Sequence, residues 1–110
     1  MKAGSNKVIL VEVQSGKIVV PEDPAVVMRD QGAIIWNLPA TGRYTFPRDG
    51  IVIDPTSFSP CNPIGGGKSF MCVKKVGKPG TYKYIVNVND GSNPLDPLPL
   101  PPLDPVIINQ

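Results

Sequence analysis

The chain contains the stretch Gly80-Thr81-Tyr82-Lys83-Tyr84-Ile85-Val86, which follows a predicted turn at residues 77–79. Successive side chains of a β-strand point to opposite faces, so residues two apart share a face. The two tyrosines therefore share one face with Val86 and Val88, while Thr81, Lys83 and Asn87 share the other. This alternation predicts a strand over residues 81–88 that packs one face against a core.

The rest of the chain has a composition typical of β-proteins. Val and Ile dominate its apolar residues, and its 110 residues include 11 Gly and 14 Pro. Branched side chains favour strands, whereas Gly and Pro favour turns. No window keeps apolar residues at helical spacing, and no apolar run approaches the roughly 20 residues that span a bilayer. We therefore expect a single all-β domain over residues 1–110, a sandwich of about seven or eight strands.

Four other segments give more specific expectations. Residues 7–14 are apolar on both faces for part of their length, which is typical of a strand buried inside a sandwich. Residues 54–67 contain three prolines and three consecutive glycines, which predict a long surface loop with room for one helical turn. Residues 68–75 and 105–109 alternate as strands, and the second of these would close the fold.

Three segments together resemble a known family. Ile34-Ile35-Trp36-Asn37-Leu38-Pro39-Ala40-Thr41-Gly42-Arg43-Tyr44 resembles the strand and loop that carry the first copper-binding histidine of plastocyanin-like proteins. Residues 80–84 resemble the Gly-x-Tyr-x-aromatic strand of the same family, and Val106-Ile107-Ile108 resembles its closing strand. The chain is thus similar to cupredoxins over most of its length. The resemblance implies a Greek-key β-sandwich of cupredoxin-like topology.

The resemblance also indicates where copper ligands would lie. Tyr44 occupies the position of the first histidine and Val86 that of the cysteine, while Asn89 and Pro94 lie near those of the second histidine and the methionine. A blue-copper site needs two imidazoles, a thiolate and a weak axial ligand. The chain contains no histidine. We therefore expect a family member that lacks the type 1 copper ligands, binds no cofactor and transfers no electrons through such a centre.

The chain has two cysteines, Cys61 and Cys72, on either side of a Gly-rich stretch. A disulfide closing a loop of this size would stabilise the fold by roughly 3 kcal/mol. Two buried thiols or a soft metal site are the alternatives, since thiolates and the thioethers of Met28 and Met71 suit Cu(I). Met71 and Cys72 are adjacent on a predicted strand and would point to opposite faces. This geometry favours the disulfide.

The proline-rich loop, residues 93–105, contains a near repeat of Pro-Leu-Asp-Pro. Its prolines at 99, 102 and 105 have the period of a polyproline II helix, a stiff conformation suited to recognition by another protein. The alternative is a self-packed cap over the end of the sandwich, which we favour because four exposed leucines would form an unusual apolar patch. The candidate partner-binding residues are Tyr44, Leu95, Pro97, Leu98, Leu100, Pro101 and Leu103.

Charge and motifs exclude several other classes of function. The net charge of +2 is too small to indicate nucleic acid or membrane binding. Lys68, Lys74, Lys75, Lys78 and Lys83 cluster around one predicted hairpin and are interpreted as a solvated face. The run at residues 65–69 is not a phosphate-binding loop, because Asn62 replaces the required glycine and a strand follows.

Catalysis is not expected, because general-base chemistry at neutral pH usually depends on histidine. We expect a non-catalytic binding or structural module that contacts another protein through the proline-rich loop, without nucleic acid binding or membrane insertion. A soft-metal-handling protein and an accessory domain of a redox complex are the alternatives. The resemblance to cupredoxins favours a periplasmic or secreted protein whose signal peptide has been removed, with Met1 as an added start, and exported proteins favour a disulfide; a cytoplasmic location is the alternative.

Overall fold

A computed structural model describes residues 6–93 and 95–110. Within these ranges the chain forms fourteen short strands and one turn of 3₁₀ helix, Gly65–Gly67, which confirms the all-β prediction. No helix in the described part of the chain is both long and apolar enough to cross a bilayer. The strands are β1 Lys7–Leu10, β2 Glu12–Gln14, β3 Lys17–Val19, β4 Ala25–Val27, β5 Ala33–Asn37, β6 Tyr44–Thr45, β7 Ile51–Val52, β8 Phe58–Ile64, β9 Ser69–Lys74, β10 Gly80–Lys83, β11 Ile85–Val86, β12 Asn89–Asp90, β13 Leu98–Pro99 and β14 Val106–Asn109.

The first layer, sheet I, has the strand order β1-β5-β9-β8. Strand β1 runs parallel to β5, and the other neighbours are antiparallel. The second layer, sheet II, is built around a long ladder in which residues 98–109 return antiparallel beside residues 80–90. Strands β6 and β7 pair with one side of this ladder, and β4 lies parallel to β14 on the other. Strands β2 and β3 form a separate hairpin.

The core lies between the two sheets, and a pair of aromatic residues joins them. The Trp36 indole N–H of sheet I donates a hydrogen bond to the Tyr84 phenol oxygen of sheet II at 3.1 Å, with the ring centroids 5.4 Å apart. Tyr84, Val86 and Val88 are buried together, as their alternation predicts. Burial raises the pKa of Tyr84 to about 12, since the phenolate would lose its hydration.

The prediction that residues 7–14 are buried on both faces is wrong. The chain breaks at Val11 into β1 and β2, and β1 is an edge strand of sheet I within the described residues. Ile9 faces the core, but Val8 and Leu10 point away from it and are 49% and 58% exposed. An apolar pattern on both faces therefore did not correspond to burial, because this strand has a second sheet on one side only.

The prediction of a surface loop at residues 54–67 is wrong for residues 58–64, whereas the helical turn expected within it is confirmed at Gly65–Gly67. Strand β8 pairs with β9, and the helical turn follows it. Pro60 and Pro63 lie in β8, which is tolerated because β8 is the opposite edge strand and needs hydrogen-bonding partners on one side only. Cys61 lies directly across from Cys72 and forms the expected disulfide with it.

Candidate binding surface at the tip end

Tyr44 and the proline-rich loop lie at the same end of sheet II. Strand β12 pairs with β13 on one side, where Asp90 is opposite Leu98. It pairs with β6 on the other side, where Asp90 is opposite Tyr44. We call residues 91–93 and 95–103 together with Tyr44 the tip end. All seven candidate partner-binding residues predicted from the sequence therefore belong to one end of the molecule.

The four leucines of the loop divide into two pairs. Leu100 and Leu103 pack against the core, and backbone hydrogen bonds to Val88 and Val86 hold them there. Leu95 and Leu98 are 95% and 61% exposed. The cap interpretation is thus correct for the first pair and wrong for the second. Pro97 and Pro101 are exposed as well, whereas Pro94 lies outside the described residues.

Polar contacts fix the base of the loop. The Asp90 carboxylate accepts hydrogen bonds from the Ser92 backbone N–H at 2.9 Å and from Arg43 Nε at 2.8 Å. Bonds from Ser92, assisted by Arg43, hold the pKa of Asp90 below its ordinary value. The Gly91 N–H donates to the Arg43 carbonyl, and a Cβ at Gly91 would lie only 2.8 Å from that oxygen. The exposed leucines are therefore carried on a fixed support.

Tyr44 is half-buried and is positioned by its neighbours. The Arg43 guanidinium lies 5.0 Å from the centre of the Tyr44 ring. Lys68 Nζ donates to the carbonyls of Gly42 and Tyr44, at 2.9 and 2.7 Å. The interpretation of Lys68 as part of a solvated face is therefore wrong. Its role could not be read from strand alternation, because its acceptors are backbone carbonyls of a distant loop.

The positions that the resemblance would assign to copper ligands carry no copper-binding donor set. Val86 is fully buried and offers a hydrocarbon, while Tyr44 and Asn89 lie on paired strands and offer a phenol and an amide. These groups do not fit the two imidazoles and thiolate of a type 1 site. The described residues also contain no group of three or more His, Cys, Asp or Glu side chains that could hold a metal ion. Both cysteine sulfurs are used by the disulfide.

A second feature, which sequence analysis missed, lies at the opposite end of the sandwich. A cavity of about 290 Å³ is lined by Arg29, Asn109, Gln110 and residues 74–79. We call these residues the basic end. The lysine cluster was visible in the sequence, but Arg29 and Asn109 join it only through the pairing of β14 with β4 and β10.

Comparison with known proteins gives no family for this chain. No family model matches it, and no curated protein is significantly similar to it. The interpretation of both ends therefore depends on the geometry of their own residues.

Proposed function

We propose that this chain is a non-catalytic, cupredoxin-like binding or structural module that has lost the blue-copper site and contacts a partner protein through its tip end. The observation that carries this proposal is the exposure of Leu95 and Leu98 on a loop that hydrogen bonds hold in place. Docking such a loop costs little conformational entropy, so apolar contacts made by its leucines translate more fully into affinity.

Two features support the cupredoxin-like part of the proposal. Trp36 and Tyr84, one from each segment that carries the resemblance, are in contact at the centre of the core. Tyr44 and Asn89, two of the lost-ligand positions, lie on neighbouring strands, and Val86 is only three residues before Asn89. The residues that replace the ligands of one lost metal ion must lie at the same end of the sandwich, and these three positions meet that requirement.

The partner would be a protein with an apolar groove. Exposed prolines at 97, 99 and 101 restrict the backbone around Leu98, as in other proline-rich ligands that dock into aromatic-lined grooves. Burying two leucine side chains would contribute roughly 3 to 6 kcal/mol before the cost of association. That amount suits a reversible complex.

A capture experiment tests this function. The wild-type protein is immobilised beside the variants Leu95→Ser/Leu98→Ser and Val76→Ser, and retained proteins are identified by mass spectrometry. Val76 is a matched control, because it is also apolar and 94% exposed but lies at the basic end. We expect specific partners to be retained by the wild type and by the Val76 variant and to be lost from the double variant. Identical sets from all three proteins would contradict the proposal.

The disulfide is compatible with an oxidising compartment, and we propose that the protein functions in the periplasm or outside the cell. Trapping free thiols in intact cells before lysis tests this location. We expect Cys61 and Cys72 to escape alkylation unless a reductant is added first. Complete labelling without reductant would contradict both the location and the bridge.

A further inference from the structure

The free edge of β1 carries backbone groups that point away from sheet I. In a parallel ladder, successive residues of a strand direct their N–H and C=O groups alternately to its two sides. The Val11 N–H donates a hydrogen bond to the Asn37 carbonyl at 2.8 Å, so Ile9, two residues earlier, also bonds to β5. The N–H and C=O groups of Val8 and Leu10 therefore face the free edge. They have no hydrogen-bonding partner among the described residues.

The side chains at this edge are apolar and uncovered. Val8 and Leu10 are exposed on the outer face of sheet I. Lys7 is the one charged residue of β1, and its side chain is mostly buried in an ion pair with Glu22. A charge that is already paired does little to repel an approaching strand. The edge thus offers unused backbone donors and acceptors beside apolar surface.

Other edge strands in the described part of the chain are protected. Natural sheets protect their edges with prolines, exposed lysines or very short strands, because an open edge pairs with other chains. Strand β8 contains two prolines, β10 follows a proline and ends in an exposed lysine, and the remaining edge strands have two or three residues. Strand β1 has four residues and no such device. This contrast indicates that the β1 edge is occupied when the protein functions.

A second copy of the chain fits this edge. When two β1 strands run antiparallel with Ile9 opposite its counterpart, Val8 of each copy lies opposite Leu10 of the other. The outward N–H and C=O groups of these residues then form both hydrogen bonds of each pair. A shift by one residue would place core-facing side chains opposite outward-facing ones. Centring the pairing on Val8 would place Leu10 opposite the polar Asn6, so the register centred on Ile9 is the better match.

We propose that two copies of this chain associate through their β1 strands into a two-fold symmetric dimer, in which the two copies of sheet I form one continuous sheet. Lys7 lies opposite Val11 of the other copy, so no like charges face each other across the axis. The two tip ends point in opposite directions, because the β1 strands are antiparallel, and both remain free. The dimer therefore does not depend on the function proposed for the tip end.

The dimer should be reversible. One short strand from each copy covers much less than the roughly 800 Å² per partner that is buried in a stable complex. Sedimentation velocity of the full chain over a concentration series measures the association. We expect the apparent mass to rise from that of one chain toward that of two as the concentration increases. A wild type that stays monomeric at every concentration would overturn the proposal.

Amide hydrogen exchange followed by NMR locates the contact. The amides of Val8 and Leu10 should exchange severalfold more slowly at high concentration than at low concentration. The Ile9 amide, which already bonds to β5, should change little. A dimer in which Val8 and Leu10 exchange as fast as in the monomer would place the contact elsewhere and refute the β1 interface.

A proline variant tests the backbone pairing directly. Val8→Pro removes an N–H that faces the free edge and is not used by β5, so the fold should persist. We expect this variant to remain monomeric. Val8→Thr is the matched control, because it keeps both the N–H and a branched side chain, and it should still dimerise. Dimerisation of Val8→Pro at wild-type concentrations would contradict the proposal.

A pair of charge variants keeps the test valid if the proline variant does not fold. Val8→Lys/Leu10→Lys and Val8→Glu/Leu10→Glu change only exposed side chains. Each should be monomeric alone, because like charges would face each other across the axis. Their equimolar mixture should dimerise, because opposite charges then face each other. A mixture that stays monomeric where the wild type dimerises would rule out this pairing.

The tip end supplies the control for apolar association in general. Leu95→Ser/Leu98→Ser removes exposed leucines outside sheet I and should dimerise like the wild type. Loss of the dimer in this variant would assign the contact to the tip end and overturn the proposal.

Discussion

The two ends of this sandwich differ in how they are built. The tip end comes from one part of the chain, residues 91–93 and 95–103, with Tyr44 added by strand pairing. It carries exposed leucines and prolines. The basic end collects Arg29, residues 74–79 and Asn109 from three separate parts of the chain, and its lining includes four cationic side chains. One end thus offers an apolar projection, and the other offers a charged cavity.

This difference shows what kind of site local sequence can reveal. A segment with a repeat and an unusual composition is visible before folding, even where its exposure is not. A cavity formed by residues that are distant along the chain is invisible until the strands are paired. Strand β9 connects the two ends, because Lys68 just before it contacts the tip end and Lys74 belongs to the basic end.

The largest effect should come from removing the disulfide that joins β8 to β9. Cys61→Ala/Cys72→Ala should lower the free energy of unfolding by about 3 kcal/mol, because the unfolded chain regains the freedom of the closed loop. Urea denaturation measures this change. Capture of partner proteins through the tip end should persist in the folded variant. A change in stability close to zero would contradict the prediction.

Ionisation of Tyr84, in the middle of the core, should destabilise the whole fold and therefore affect the two ends equally. Burial raises the pKa of Tyr84 to about 12, whereas an unfolded tyrosine titrates near 10.0. The contribution to stability is therefore fully present below pH 10 and is lost as the pH rises toward 12. The loss amounts to roughly 2–3 kcal/mol.

Thermal denaturation between pH 9 and 12 measures this loss against Tyr84→Phe. The variant should be less stable at neutral pH, because the Trp36 N–H loses its acceptor. Its stability should nevertheless fall less steeply above pH 10 than that of the wild type. If the stability of the two proteins fell equally steeply with pH, ionisation of Tyr84 would not be the cause of the loss.

A third comparison separates the anchored leucines of the tip end from its exposed ones. Leu103→Ala should lower the free energy of unfolding by about 2 kcal/mol, because Leu103 packs against the core. Leu95→Ala should change it by less than about 0.5 kcal/mol, since Leu95 is almost fully exposed. Chemical denaturation of both variants tests this contrast. Equal effects would mean that the loop does not have one packed and one presented side.

The smallest effect should come from the charge at the base of the tip. The pKa of Asp90 is held below its ordinary value of 3.8, mainly by hydrogen bonds from Ser92. Its contribution to stability is therefore present above pH 3.8 and is lost as the pH falls through the lowered pKa.

Asp90→Asn removes this charge and keeps an acceptor oxygen. Its melting temperature should lie slightly below that of the wild type at pH 7 and equal it near pH 2. A difference in melting temperature that persists near pH 2 would show that altered packing, and not the lost charge, destabilises the variant. Lys83→Gln, which breaks the exposed ion pair with Asp104, is a suitable control outside the tip end.

Sequence reasoning succeeded where the decisive contacts are local. The alternation of Tyr84, Val86 and Val88 identified a buried face, and the burial of these residues follows it. The pairing of Cys61 with Cys72 could be expected, because a short Gly-rich stretch between the two cysteines lets the chain fold back on itself. In both cases the physical cause is contained in a short part of the chain.

It failed where the order of strands decides the outcome. Val8 and Leu10 look like core residues, but they are exposed because the second sheet covers only one face of sheet I. Pro60 and Pro63 made residues 58–64 look like a loop, because a strand with prolines, such as β8, is tolerated only at an edge of the sheet. The unpaired oxygen of Asn109 depends on its packing beside Lys78, 31 residues away. No local pattern contains this information.

The edges of sheet I also limit how copies of this protein could assemble. Two of the seven residues of β8 are prolines, which lack the amide hydrogen that an added strand would need. Strand β1 contains no proline, and its outer edge has no strand partner among the described residues. A strand from another copy could therefore pair with the β1 edge of sheet I but not with the β8 edge. Association by this route would stop at a dimer and would not propagate into a fibre.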